Sequence, residues 1–279
     1  MKRILAALLG LIFLCAAAEG QNSGMQYELN DILAHLPTVE FREGGPQHYV
    51  FTCDYVNFDL AGNVTAKERV SGDYTSGLPD GKVRWNNVRI AHMGNTNGAS
   101  PEGVLQRYME NFSYDRLTPD YVKDSFFADF PANSIETKAL VWDVSMLEQF
   151  ARNHFDKLKL NDPFELKSSD ISVPGMKFFN RLPRVTWVGV SKMNDKACAV
   201  IEYEGFFNKL SSQVGEQTLK GRSDYWGTIW VSLRDKQIEK GTLNEGVLLG
   251  VEVSGQAGPQ AVPVFRQATL CRRTGREER

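Results

Sequence analysis

Leu219-Lys220-Gly221-Arg222-Ser223-Asp224-Tyr225-Trp226-Gly227-Thr228-Ile229-Trp230-Val231-Ser232-Leu233 decides how this chain folds. Its odd positions read Leu, Gly, Ser, Tyr, Gly, Ile, Val, Leu, and its even positions carry Lys220, Arg222, Asp224, Trp226, Thr228, Trp230 and Ser232. A period of two over such a length predicts a long strand with one buried face. After Arg234-Asp235-Lys236 the alternation resumes on Gly241, Leu243, Glu245, Val247, Leu249, Val251 and Val253. For odd positions to face odd positions across this hairpin, the loop must hold three or five residues.

Strand patterns continue outward on both sides. Val185–Ser191, Ala197–Phe207 and Pro263–Cys271 complete a C-terminal block. An N-terminal block runs over 48–91. There Tyr49, Phe51, Cys53 and Tyr55 alternate with Val50, Thr52, Asp54 and Val56, and turns are predicted at Ala61-Gly62-Asn63 and Pro79-Asp80-Gly81. Three helices are expected between the blocks. One starts at Ser100-Pro101-Glu102 with the stripe Val104, Leu105, Tyr108, Met109 and Phe112. One follows Thr118-Pro119-Asp120, and one spans Asp143–Leu158. Residues 164–184 read as irregular, 272–279 as a frayed polar tail, and Leu29, Ile32, Leu33 and Leu36 as a short helix closed by Pro37. The fold expected is therefore α+β: a large antiparallel, curved, half-barrel-like sheet from two strand blocks, with the helices of 100–158 on one face, in a single domain over 19–271.

The start of the chain predicts export. Lys2-Arg3 precede an apolar run from Ile4 to Cys15, and Ala16-Ala17-Ala18 supplies a small-x-small cleavage site before Glu19, with a second site before Gln21. The run is shorter than a spanning helix needs, and Leu14 is too large to precede an acylated Cys15. Residues 1–18 thus read as a signal peptide of bacterial type, and the product as periplasmic or extracellular rather than integral to a membrane. Losing Lys2 and Arg3 takes the net charge from −2 to −4, the wrong sign for nucleic acid. Cys53, Cys198 and Cys271 remain, and one bridge plus a thiol or three buried thiols are both open.

The usual reaction signatures are absent. There is no GxGxxG, Walker loop, GxSxG, HExxH or CxxC, so no cofactor and no metal are expected. Asn95-Thr96-Asn97-Gly98 lacks the acids of a calcium loop and reads as a turn. His154 falls beside Phe150 and Leu158 as packing, while His92 ends a strand before a loop, a better place for chemistry. Glu202 and Glu204 share one strand face, and Glu245 falls in phase with the buried set. There it must be paired with a cation such as Arg222, line a cavity, or be turned out by a bulge.

In architecture alone, an exported chain of long antiparallel strands with inserted helices resembles the half-barrel carriers of the bacterial periplasm, such as the lipoprotein carriers. The reading that follows is a non-enzymatic exported protein that holds an apolar or amphiphilic small ligand, or an envelope protein partner, in a concave sheet. Its ligand-binding candidates are Trp226, Trp230, Tyr225, Glu245 and His92, with the two tryptophans a ligand platform if their face is exposed and core if the inserted helices cover it. The alternatives are a secreted hydrolase using Glu245, Glu202 and Glu204, and a structural envelope protein whose Trp226/Trp230 face is an interface.

Overall fold

Period-two burial is realised along the opening stretch. Ser223, Tyr225, Gly227, Ile229 and Val231 are buried, and the even positions between them face the other way. A computed structural model describes residues 41–42, 44–94, 102–116, 123–131, 134–173, 176–214, 217–252 and 260–273. These belong to one compact unit, Phe41–Arg279. The expected signal peptide, the helix before Pro37, the turn at Asn95-Gly98 and the helix start at Thr118-Pro119-Asp120 lie outside the described residues, as does the tail beyond Arg273.

The strands are β1 (Gln47–Phe58), β2 (Val64–Ser76), β3 (Lys82–Met93), β4 (Val104–Leu105), β5 (Phe112–Asp115), β6 (Phe164–Glu165), β7 (Ser169–Val173), β8 (Met176–Asn180), β9 (Arg184–Met193), β10 (Lys196–Val214), β11 (Gln217–Ser232), β12 (Ile238–Glu252) and β13 (Gln260–Arg272). All their pairings are antiparallel, in the order β4-β3-β2-β1-β13-β12-β11-β10-β8-β7, with β5 also on β3 and β9 also on β10. The two blocks join where β1 pairs with β13, from Tyr49 opposite Arg272 to Asn57 opposite Val264. The sheet is open, curved and not closed into a barrel.

One α-helix, α1 (Ile135–Arg152), stands among the described residues. Its buried side carries Leu140, Val144, Leu147 and Ala151 at helical spacing. Glu136 in the first turn and Arg152 in the last suit the helix dipole. The helix touches both wings of the sheet: the Tyr74 hydroxyl of β2 donates to Glu148 at 3.1 Å, and Phe150 lies 4.9 Å from the Tyr203 ring of β10. Four strands separate β2 from β10. In a flat sheet they would be roughly 24 Å apart, too far for two side chains of one helical turn to reach. The sheet therefore wraps α1, and the face that carries the core is the concave one.

Four sequence expectations are corrected. The stripe from Val104 to Phe112 is not a helix: it forms β4, a 3₁₀ turn at Arg107–Met109 and the start of β5. Gly103 has φ +78°, outside any helix, and a Cβ there would meet the Ile90 backbone at 2.9 Å, so the chain lies along the edge of β3. The expected second helix is, where described, a 3₁₀ turn at Asp124–Phe127. The third begins and ends earlier than its apolar spacing implied, and Phe155 belongs to a separate 3₁₀ turn. Residues 164–184, expected to be irregular, hold β6 and the β7–β8 pair. Among the described residues no helix is long and apolar enough to cross a membrane.

The opening hairpin keeps odd facing odd, as with Tyr225 opposite Glu245 and Ile229 opposite Gly241. Parity depends on a bulge as well as on the loop. Val231 pairs with Ile238 and Trp230 with Lys240, so Glu239 has no opposite number. Two aromatic–glycine pairs lie side by side on the concave face. Tyr203 covers Gly227, and Tyr225 covers Gly205. A Cβ at Gly227 would sit 2.0 Å from the Thr242 carbonyl oxygen, which is backbone, whereas one at Gly205 would meet the Tyr225 ring at 2.4 Å, which can swing. Gly227→Ala should therefore destabilise the fold by about 2 kcal/mol and Gly205→Ala by less. Urea denaturation of the two variants reads this ordering directly, and equal midpoints would refute it.

Candidate functional site

Two clusters stand out, one on each face of β9 to β13. On the convex face a cleft of about 800 Å³ is lined by Arg184, Thr186, Glu202, Glu204, Phe206, Trp226, Thr228 and Asn244, with Tyr203 and Gly227 at its floor. Register assembles it. Arg184, Glu204, Trp226 and Asn244 oppose one another in turn across β9, β10, β11 and β12, and the next rung holds Thr186, Glu202 and Thr228. Arg184 is ion-paired with Glu204. The Trp226 indole is 41% exposed and tilts against Phe265 at 6.3 Å.

A bulge in β10 contributes Phe206 to the lining of this cleft. Gly205 pairs with Tyr225 and Asn208 with Ser223, so Phe206 and Phe207 together face Asp224. Phe207 adopts φ 62°, its amide donates to Asp224 Oδ1 at 2.6 Å, and the Arg222 guanidinium lies 4.2 Å from its ring centroid. The expected strand Ala197–Phe207 does not stop there. It continues to Val214 and exchanges its neighbour β9 for β8 beyond the bulge.

On the concave face Arg266 of β13 reaches two carboxylates. Its Nη1 donates to Glu245 Oε2 at 2.6 Å, and its Nη2 to Asp143 of α1. The Ser223 hydroxyl donates to the other oxygen of Glu245, and the guanidinium lies 5.2 Å from the Tyr55 ring centroid. Burial raises the Asp143 carboxyl to about 6, with Glu245 adding to the rise and Arg266 opposing it. The same burial pushes the neighbouring Cys53 thiol up to about 12, which leaves it protonated and unreactive. Cys53, Cys198 and Cys271 are all unbridged.

The five sequence-predicted ligand residues therefore fall in three places. Trp226 lines the cleft. Trp230 shares its face, with the Lys240 ammonium 5.5 Å from its ring centroid. Tyr225 and Glu245 point to the concave side, where the Tyr225 hydroxyl donates to Asn180 Oδ1 at 2.9 Å. His92 stands apart on β3, its side chain 82% exposed and its Nδ1 2.8 Å from Glu68. Glu245 is paired in the core, but with Arg266 rather than Arg222, which binds Asp224 on the other face. The three carboxylates of the hydrolase alternative do not share a site: Glu202 and Glu204 line the cleft, and Glu245 lies through the sheet from them.

No family model and no curated protein matches this chain. The site rests on geometry alone. Sequence reasoning missed Arg184, Thr186, Phe206, Thr228 and Asn244 in the cleft, and Arg266 and Asp143 in the core. A signal existed for Arg266, which is in phase with the buried Ala268 and Leu270. None existed for the cleft residues, which look singly like ordinary outward-facing positions of a sheet.

Proposed function

We propose that this is an exported, non-enzymatic binding protein whose amphiphilic ligand lies in the convex cleft around Trp226. The exposed indole carries the reading. It stands in a concave pocket among Glu202, Thr228 and Asn244, so an apolar surface and hydrogen-bonding groups are offered together. The concave face of the sheet, where the sequence placed the ligand, is filled over β10 to β13 by α1 and its core. Hydrolysis has less support. Glu204 is held in an ion pair by Arg184, and Glu245, the third carboxylate that reading needs, lies on the other face of the sheet.

Titration with uncharged alkyl glucosides below their micelle concentration, followed by tryptophan fluorescence, tests this reading. A saturable change is expected in the wild-type protein and is expected to vanish in Trp226→Ala, with unfolding midpoints alike. A Trp226→Ala protein that responds like the wild type would sink it. Concentration-dependent self-association that Trp226→Ala abolishes, with no ligand response, would favour the structural-interface reading instead.

A further inference from the structure

The second rung of the cleft does not end at Thr228. The Thr228 amide donates to Thr242 Oγ1 at 3.1 Å. Thr242 then opposes Thr269, Thr269 opposes Thr52, and Thr52 opposes Ser71. With Thr186 and Glu202 this makes one continuous row across β9, β10, β11, β12, β13, β1 and β2. Every member but Glu202 carries a hydroxyl. The row lies on the convex face, since its neighbours along each strand (Val185, Ile201, Ile229, Leu243, Ala268, Phe51 and Val70) are buried on the other side. At the usual strand spacing it is roughly 29 Å long.

Threonine suits an exposed sheet, and cross-strand threonine pairs add stability on any such face. That accounts for single pairs. It gives no reason for the row to run into a cleft with an exposed indole and an acidic group. The Glu202 carboxylate has no ion pair among the described residues. The guanidinium groups that flank the row are occupied, Arg184 by Glu204, Arg69 by Asp54 through two hydrogen bonds, and Arg89, opposite Ser71 at the far end, by Asn87 Oδ1 and the Gly103 carbonyl. An anionic polymer would find no unpaired guanidinium along the track; it would meet the Lys240 ammonium beside Thr242, which lies over the Trp230 ring, but also the Glu202 carboxylate within the cleft. An aliphatic chain would cover the hydroxyls of Thr186, Thr228, Thr269, Thr52 and Ser71 without satisfying them, while that of Thr242 is already taken by the Thr228 backbone. An uncharged polyhydroxylated chain meets both demands, with a C–H face for Trp226 and hydroxyls for the row.

We propose that the cleft and the threonine row form one track for an extended, uncharged glycan, which lies across the strands with one end on Trp226. This rests on the reading of the cleft as a binding site. The track beyond Asn244 and Thr242 is the new element, and it requires affinity to grow with chain length.

Calorimetric titration with disaccharides and hexasaccharides of the cello- and chito-series tests it on the full chain, alongside the alkyl glucosides. In the wild-type protein the hexasaccharide of at least one series should bind at least about tenfold more tightly than its disaccharide, because the added sugars are held at high effective concentration. The double variant Thr52→Val/Thr269→Val should melt like the wild type, keep disaccharide binding and lose that length advantage. Trp226→Ala should lose both. A length advantage that survives in the double variant, or no glycan binding in either series, overturns the track. If alkyl glucosides bind through Trp226 and glycans do not, the cleft stands and the track falls. If neither binds, both fall.

Discussion

Arg266→Met should lower the unfolding free energy at neutral pH by at least about 3 kcal/mol, the largest effect expected of any single substitution in this chain. Methionine fills similar space but leaves Asp143 and Glu245 buried together with no cation between them. The Ser223 hydroxyl reaches only Glu245. The two charges then repel at short range, and one must take up a proton for the fold to survive. The deficit should therefore shrink on acidification, because protonating the pair removes the repulsion. Urea titrations at pH 8 and pH 5 measure both effects. A loss below about 1 kcal/mol at pH 8 would mean that the cluster is solvated rather than buried.

Asp143 supplies the second large effect, and its sign is the reverse of the usual carboxylate. Its folded pKa, raised mainly by burial to about 6, lies above the ordinary 3.8. The native state therefore binds a proton more readily than the unfolded chain. The stability linked to this group is fully present below about pH 4 and is lost as the pH rises through about 6. The full swing is on the order of 3 kcal/mol. Asp143→Asn keeps an acceptor for Arg266 and leaves one cation facing one carboxylate, Glu245. The variant should be more stable than the wild type at pH 8, about equal to it near pH 4, and flatter in between. A wild-type profile that rises steadily from pH 5 to pH 8 at Asp143's expense, or a variant less stable at pH 8, would contradict this assignment.

The sheet was legible because its buried face alternates without interruption over long stretches, as from Ser223 to Val231. Legibility failed where one residue broke the phase. Glu239 and the Phe206–Phe207 pair each add a residue to one strand, and neither leaves a local mark in the sequence that a polar or aromatic residue would not leave elsewhere. Gly103 turned an apparently helical stripe into edge strands. A glycine inside a stripe is a weak signal until its φ is known. The helix α1 is legible from Val144 onward, but its first two turns are missed although Leu140 is buried in phase with Val144 and Leu147, because no cap residue with a side-chain hydrogen bond marks its start. The charge partner of Glu245 came from a strand that is a neighbour in space and follows in the chain, so phase alone could have proposed Arg266. The cleft is different in kind. Trp226, Glu202 and Glu204 are legible one at a time, but the other residues hold ordinary outward positions, and only the registers of β9 through β12 bring them all to one place.

The junction of β1 with β13 is expected to close late when this chain folds. Tyr49 must wait for Arg272, so the seam at the middle of the sheet is among the most distant pairings in the sequence. Contacts of that span close slowly. Until β13 arrives, the N-terminal meander presents β1 as a bare edge with Tyr49, Phe51 and Cys53 uncovered, and such an edge pairs readily with other chains. The vulnerable interval in the life of this protein is thus the time between completion of the meander and delivery of its last strand, and a chaperone that shields β1 over that interval would raise the folded yield without altering the final stability.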